Sequence, residues 1–160
     1  MINYDRRSLL KQMLGGSVAL VAVSGGFLAL PAWAAPTESE WPKEAFSKKK
    51  MDEAIETLYG QKPTESDKIS LDVPTIAQNG AVVPVTVEST LEKVTSIALF
   101  VAKNPFALTA SFDIPDGTMP FVSNRLKMAE TSDVSALVMA DGKLYSTSKN
   151  VKVTVGGCGG

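Results

Sequence analysis

The 160-residue chain contains no histidine at all and one cysteine. Without histidine, the chain cannot supply a Ser-His-Asp or Cys-His nucleophilic site, nor a histidine-ligated metal. With a single cysteine, no disulfide can form within the chain, and in an oxidising compartment the thiol can pair only with something outside it. Neither a Gly-x-Gly-x-x-Gly nor a Gly-x4-Gly-Lys-Ser/Thr run is present, so no phosphate-cradling glycine loop is offered. The carboxylates are plentiful, but no spacing singles out an acid/base pair. Six methionines raise the question of copper, yet Met1 and Met13 fall in the leader described below. Met51, Met119, Met128 and Met139 are scattered, as packing residues are.

What is present begins with a leader. Arg6, Arg7 and Lys11 precede an apolar, Gly/Ala-rich run from about Met13 to Leu30, and Pro31 ends it before the small-x-small sequence Ala32-Trp33-Ala34. Residues 1–34 therefore read as a signal peptide cleaved after Ala34, since a cut after Ala35 would place Pro36 next to the scissile bond. The glycines and the cleavage pattern argue against a membrane anchor. The Arg6-Arg7 pair resembles a twin-arginine export signal, with Leu9 where phenylalanine is usual, and implies a periplasmic protein that crosses the membrane already folded. Because a bound metal centre is not expected, a folded partner without its own signal explains that route best.

Removing Arg6, Arg7 and Lys11 from the 16 basic residues and Asp5 from the 17 acidic ones leaves 13 against 16, a net charge of −3. So mild a balance gives no footprint for nucleic acid and none for stable membrane association.

Residues 35–67 read as an acidic, proline-containing spacer followed by a helix. Met51, Ala54, Ile55 and Leu58 fall at i, i+3, i+4 and i+7, which predicts a helix over Lys48–Tyr59, with Ser47 as N-cap and Gly60 just past its end. Lys48-Lys49-Lys50 reads as a solvated face, and Trp41 and Phe46 as apolar anchors onto the domain or a partner. From residue 68 to 155 the pattern turns to short β segments, predicted at Lys68–Val73, Val82–Ser89, Ser96–Ala102, Leu108–Phe112, Val122–Ala129, Ser132–Met139, Lys143–Ser148 and Lys152–Val155. Asn79-Gly80, Asn104-Pro105, Pro115-Asp116-Gly117 and Asp141-Gly142 punctuate them, the last as a tight hairpin signal. Val83, Val85 and Val87 alternate with Pro84, Thr86 and Glu88, and Val151, Val153 and Val155 with Lys152 and Thr154. The fold expected is all-β, an immunoglobulin-like β-sandwich with a short N-terminal helix.

Its last strand leads into Gly156-Gly157-Cys158-Gly159-Gly160. Glycines on both sides give the sulfur reach and little steric cover, so residues 156–160 read as a flexible arm. Three residues beyond Val155 can extend about 10 Å. A free thiol near pKa 8.5 is only a few per cent thiolate at neutral pH, and nothing beside Cys158 lowers that value. Activation must come from another protein, which is the logic of a carrier rather than an enzyme.

The leader, the run Ile76-Ala77-Gln78-Asn79-Gly80-Ala81-Val82-Val83-Pro84-Val85, the segment Phe100-Val101-Ala102-Lys103-Asn104-Pro105 and the terminal Gly-Gly-Cys-Gly-Gly together resemble the Y-subunit family of the periplasmic sulfur-oxidation (Sox) system. The similarity extends over nearly the whole chain, and the terminal motif is its most specific part. The resemblance implies that Cys158 is the covalent attachment point for sulfur intermediates, as S-thiosulfonate and persulfide-type adducts, with Gly156, Gly157, Gly159 and Gly160 as a swinging arm. No tightly bound cofactor is implied. A heterodimer with SoxZ is implied, with transient docking to the haem enzyme SoxAX, the manganese-dependent hydrolase SoxB and, where present, the sulfane dehydrogenase SoxCD. Two other readings stand beside this one. In the first, the terminal Gly-Gly carboxyl is converted to a thiocarboxylate; in the second, a structural sandwich domain uses Cys158 for an intermolecular disulfide.

Overall fold

The structure is a computed structural model describing residues 41–155. Two helices lead the chain, α1 (Lys43–Phe46) and α2 (Met51–Tyr59), followed by nine strands. These are β1 (Thr64–Glu65), β2 (Ile69–Asp72), β3 (Ile76–Ala77), β4 (Val83–Ser89), β5 (Val94–Val101), β6 (Leu108–Asp113), β7 (Phe121–Leu126), β8 (Ser132–Ala140) and β9 (Lys143–Val153).

The valine alternation in β4 is realised as expected: Val83, Val85 and Val87 are buried, and Pro84 and Glu88 are exposed. β4 sits between β2 and β7 in a three-stranded antiparallel sheet. The larger sheet runs β1-β9-β8-β5-β6, with β3 also on β9. The two sheets close over one apolar core, which draws Leu71, Val85 and Leu126 from the small sheet and Ile97, Leu99, Val134 and Val138 from the large one. This is the immunoglobulin-like sandwich the sequence predicts.

β5 and β8 do not alternate, because the large sheet is covered on both faces. Ala98, Phe100 and Leu137 point away from the sandwich core and pack with Ala45, Ala54 and Ile55 of the helices. The unbroken apolar runs in β5 and β8 are the sequence trace of that double burial. α2 ends as predicted, with Gly60 at φ 65° capping it and donating its N–H to Glu56 O at 2.9 Å. Its start differs: Lys50 occupies the N-cap position, and Ser47 instead closes α1, donating Oγ–H to Glu44 O at 2.7 Å. Lys50 pairs with Glu53 at 3.5 Å on an exposed face, as a solvated lysine run does. Of the two apolar anchors, Phe46 packs partly against the helix-covered face, whereas Trp41 is 60% exposed and rests on Phe46.

Three further differences have plain causes. The two strands expected at the carboxyl end are one strand, β9, since polar Ser148, Lys149 and Asn150 stay paired with Ser135, Val134 and Asp133 of β8. Val155 lies beyond that strand and is exposed, so the valine alternation stops at Val153. β1 and β3 are too short to show a period, and each adds in parallel to the edge of β9 while β2, between them, pairs in the other sheet. Pro74 marks the second of these sheet changes, because proline cannot continue a ladder. β1 also lies within the segment read as spacer and helix, so strand pairing begins before residue 68. The Asp141-Gly142 turn is the tight hairpin expected, both residues having positive φ (49° and 73°), which matches the right-handed twist of β8 and β9.

Candidate functional site at the root of the arm

Cys158, Gly156, Gly157, Gly159 and Gly160 lie outside the described residues, as do Arg6, Arg7 and the cleavage site after Ala34. What the structure does define is how the chain is held up to Val155, the last described residue before the thiol.

β9 is gripped on both sides at its end. On one side the antiparallel ladder with β8 finishes at Ser132 opposite Val151. Thr131 then takes over with its side chain: its Oγ1 accepts from Val153 N at 3.0 Å and donates to Val153 O at 3.4 Å. On the other side β3 pairs Ile76 with Lys152 and Ala77 with Val153. The bonds then continue past the strand. Thr154 N donates to Ala77 O at 3.1 Å, Thr154 Oγ1 donates to Gln78 O at 2.9 Å, and Gly80 N donates to Val155 O at 2.7 Å.

The run beginning at Ile76 is therefore the clamp on the arm root. Asn79 shapes it locally, its Oδ1 accepting from Ala81 N at 2.8 Å, the side-chain turn that asparagine favours. Gly80 O in turn accepts from Met128 N at 2.7 Å, tying the clamp to the β7–β8 loop, where Met128 is fully buried. The segment ending at Pro105 reaches the same loop from the other direction. The Asn104 side chain donates to Lys127 O at 2.7 Å and accepts from Ala129 N at 3.0 Å, while Lys103 N donates to Ser132 Oγ at 3.0 Å. Two runs far apart in sequence thus meet through residues 127–132, at the pole where β9 ends.

Several apolar side chains face solvent at that pole. Ile76 opposite Lys152, Val82 ahead of β4, Phe106 between β5 and β6, and Val155 are each at least half exposed, at 57%, 54%, 50% and 62%. Its charges include the exposed pair Lys103–Glu130, 3.7 Å apart. Among the described residues there is no cluster of groups that could hold a metal ion, and no helix long and apolar enough to cross a membrane. The arrangement holds the chain firmly as far as Val155. Asn79-Gly80 and Asn104-Pro105 read in the sequence only as turns. That their amides and carbonyls hold the arm root depends on pairings 23 or more residues away, between Asn104 and Lys127 for instance. The roles of Thr131 and Thr154 had no sequence signal.

The model of a known family, described as sulfur oxidation protein SoxY, matches residues 55–158. Among solved structures, the sulfur carrier protein SoxY from Chlorobium limicola f thiosulfatophilum is 42% identical, with a TM-score of 0.61, covering 66% of this chain and 97% of its own. A superoxide reductase (neelaredoxin) from Ignicoccus hospitalis aligns at 17% identity and a TM-score of 0.49, covering 54% of this chain and 80% of its own. No curated protein matches the chain.

Proposed function

The chain belongs to the SoxY family of sulfur oxidation proteins, and we propose that it is the covalent sulfur carrier of thiosulfate oxidation, with the thiol of Cys158 as the attachment point. The observation that carries the assignment of the site is the root geometry. β9 is pinned on both sides up to Val153 and the chain is held from the β3 side as far as Val155, and the chain's only thiol follows three residues later on glycine alone. A rigid root and an unhindered tip suit a group that must enter the clefts of other proteins and leave again.

The chemistry asked of Cys158 is simple to balance. Joining thiosulfate to the thiol forms an S–S bond, releases the thiol proton and gives up two electrons, which a haem-containing partner, SoxAX, accepts. Water then attacks the terminal sulfonate on the hydrolase SoxB, freeing sulfate and leaving a persulfide on Cys158. Where SoxCD is present, it oxidises that sulfane before a second hydrolysis restores the thiol. The carrier catalyses none of these steps and binds no cofactor tightly. It travels through the twin-arginine route to the periplasm as a heterodimer with SoxZ, which is the folded partner that route serves. Val155 and Ile76, the latter opposite Lys152, are exposed apolar residues beside the root that a partner receiving the thiol can contact.

The test is Cys158→Ser in the intact heterodimer. Thiosulfate-dependent electron transfer to SoxAX is expected to vanish while fold and SoxZ binding persist, and intact mass from thiosulfate-exposed cells should show an adduct on the unsubstituted chain. Retained turnover, or only free and disulfide-linked species, would refute the assignment. Deleting Gly160 separates the thiocarboxylate chemistry, which needs that carboxyl, from thiol chemistry, which does not.

A further inference from the structure

Among the described residues, β6 is an edge of the large sheet, and it has few of the devices that usually blunt such edges. Natural edges are kept short, charged or interrupted by proline, because a row of unpaired backbone groups invites another strand. β1 and β3 have two residues each, β2 has four between Lys68 and Pro74, and β7 carries Arg125. β6 has six residues, Leu-Thr-Ala-Ser-Phe-Asp, with neither proline nor a basic residue. Its one irregularity, at Thr109, lies near the start and leaves Ala110 to Asp113 in regular register with β5.

The direction of its free groups follows from that register. In an antiparallel pair, alternate residues exchange their backbone bonds with the partner and the others turn them outward. Ile114 N donates to Thr95 O at 2.9 Å, so Phe112 opposite Ile97 is bonded inward. Ser111 and Asp113 then present N–H and C=O away from β5. The side chains of these same two residues line a recess of about 480 Å³ together with Trp41, Phe46, Tyr59 and Ser96.

The recess has the chemistry of a cation acceptor. Trp41 and Phe46 form an aromatic wall, with ring centroids 5.3 Å apart, and Asp113 supplies a carboxylate beside it. Tyr59 OH and Ser96 Oγ lie 3.2 Å apart, and the phenol is kept neutral well into the alkaline range, chiefly by burial. No lysine or arginine is among the lining residues, and from Lys103 to Arg125 the chain carries Asp113 and Asp116 with no basic residue between.

We propose that β6 is the edge on which a partner chain docks: an extended strand pairs with the outward backbone groups of Ser111 and Asp113 and places a lysine or arginine in the recess at Asp113. The occupant is the non-identical subunit of the heterodimer, so this assignment rests on the partner reading given above. A second copy of this chain fits poorly, since β6 laid against β6 brings no cation. The position also suits a carrier. β5 and β8 separate β6 from β9, a distance of about 14 Å in the sheet, so a partner held here leaves the arm pole free.

Hydrogen–deuterium exchange of the intact chain, alone and with SoxZ, tests the assignment, alongside binding of Asp113→Lys. Asp113 is exposed, so the variant should fold, which circular dichroism checks. In the complex, the amides of Ser111 and Asp113 should slow by roughly tenfold or more, the worth of one hydrogen bond, while Phe112 is slow in both states. Asp113→Lys should weaken the complex by a similar factor. A complex that forms with the amides of Ser111 and Asp113 unprotected, or that tolerates Asp113→Lys, overturns the assignment and leaves the heterodimer standing. Protection of those two amides in the isolated chain overturns it too, pointing to the chain's own N-terminal segment if independent of concentration and to a second copy if not. Failure of SoxZ to bind at all would refute the partner reading and this assignment with it.

Discussion

Replacing Thr131 with valine isolates the contribution of the clamp on the arm root. Valine keeps the shape of threonine but removes the hydroxyl, which both accepts from Val153 N at 3.0 Å and donates to Val153 O at 3.4 Å. An amide left without a partner costs about 1–3 kcal/mol when buried, and a typical hydrogen bond contributes about 0.5–1.5 kcal/mol net. Thr131 and Val153 are both half-buried, so water can replace the lost partner only in part, and the loss should be about 1–2 kcal/mol. At 1.4 kcal/mol per tenfold, that raises the local opening of the root by roughly five- to thirtyfold. The β3 side keeps its bonds from Lys152 N and Thr154 N, which confines the effect. Residue-resolved amide exchange should therefore show faster exchange at Val153, with Lys152 and Thr154 on the β3 side little changed and Leu99 and Val138 in the core unchanged. Loading of Cys158 at limiting enzyme should slow in the same variant. Unchanged exchange at Val153 would refute the clamp, and equal acceleration throughout β5 and β8 would show that Thr131 serves global stability instead.

Leu137 packs between the large sheet and the helices, and Leu137→Ala should cost about 2–5 kcal/mol, read as a lower urea midpoint; an unchanged midpoint would mean the helices contribute little. Gly142 has φ 73° with open space where a Cβ would stand, so Gly142→Ala should cost only the left-handed backbone strain, about 1–2 kcal/mol, with Gly142→Asn losing less. Tyr59 has its pKa raised above 10.0, first by burial, with the Ser96 hydrogen bond opposing and Asp113 adding. A raised value means the folded state favours the neutral phenol. That contribution is intact below pH 10 and is lost as pH rises through the folded value. Stability should thus fall more steeply in strong alkali for the wild type than for Tyr59→Phe, and parallel pH profiles would contradict the burial.

The sandwich was legible because its signals are local. Alternating valines in β4, the Asp141-Gly142 hairpin and Gly60 at the end of α2 each state their geometry within a few residues. What escaped was whatever is decided across the sheet. Ser148-Lys149-Asn150 looks like a break, yet pairing with β8 carries β9 straight through it. Ser47 looks like the cap of α2 because nothing in the sequence separates α1 from it. Ile76–Ala77 is too short for any period, and its pairing with Lys152 and Val153 is visible only when the chain folds back. For the candidate site the balance is reversed. Cys158 and its glycines could be picked out from sequence alone, and lie outside the described residues, whereas the clamp at Thr131, Gly80 and Asn104 emerged only from the structure.

The double grip on β9 also has a mechanical meaning. Consider a pull applied to Val155 along the axis of β9, a strand eleven residues long. Pulled in that direction, its bonds to β8 and β3 are loaded together in shear, so none can be peeled away singly. Force applied at Val155 is thereby resisted by both edges of β9 at once, which leaves the sandwich beneath it undisturbed.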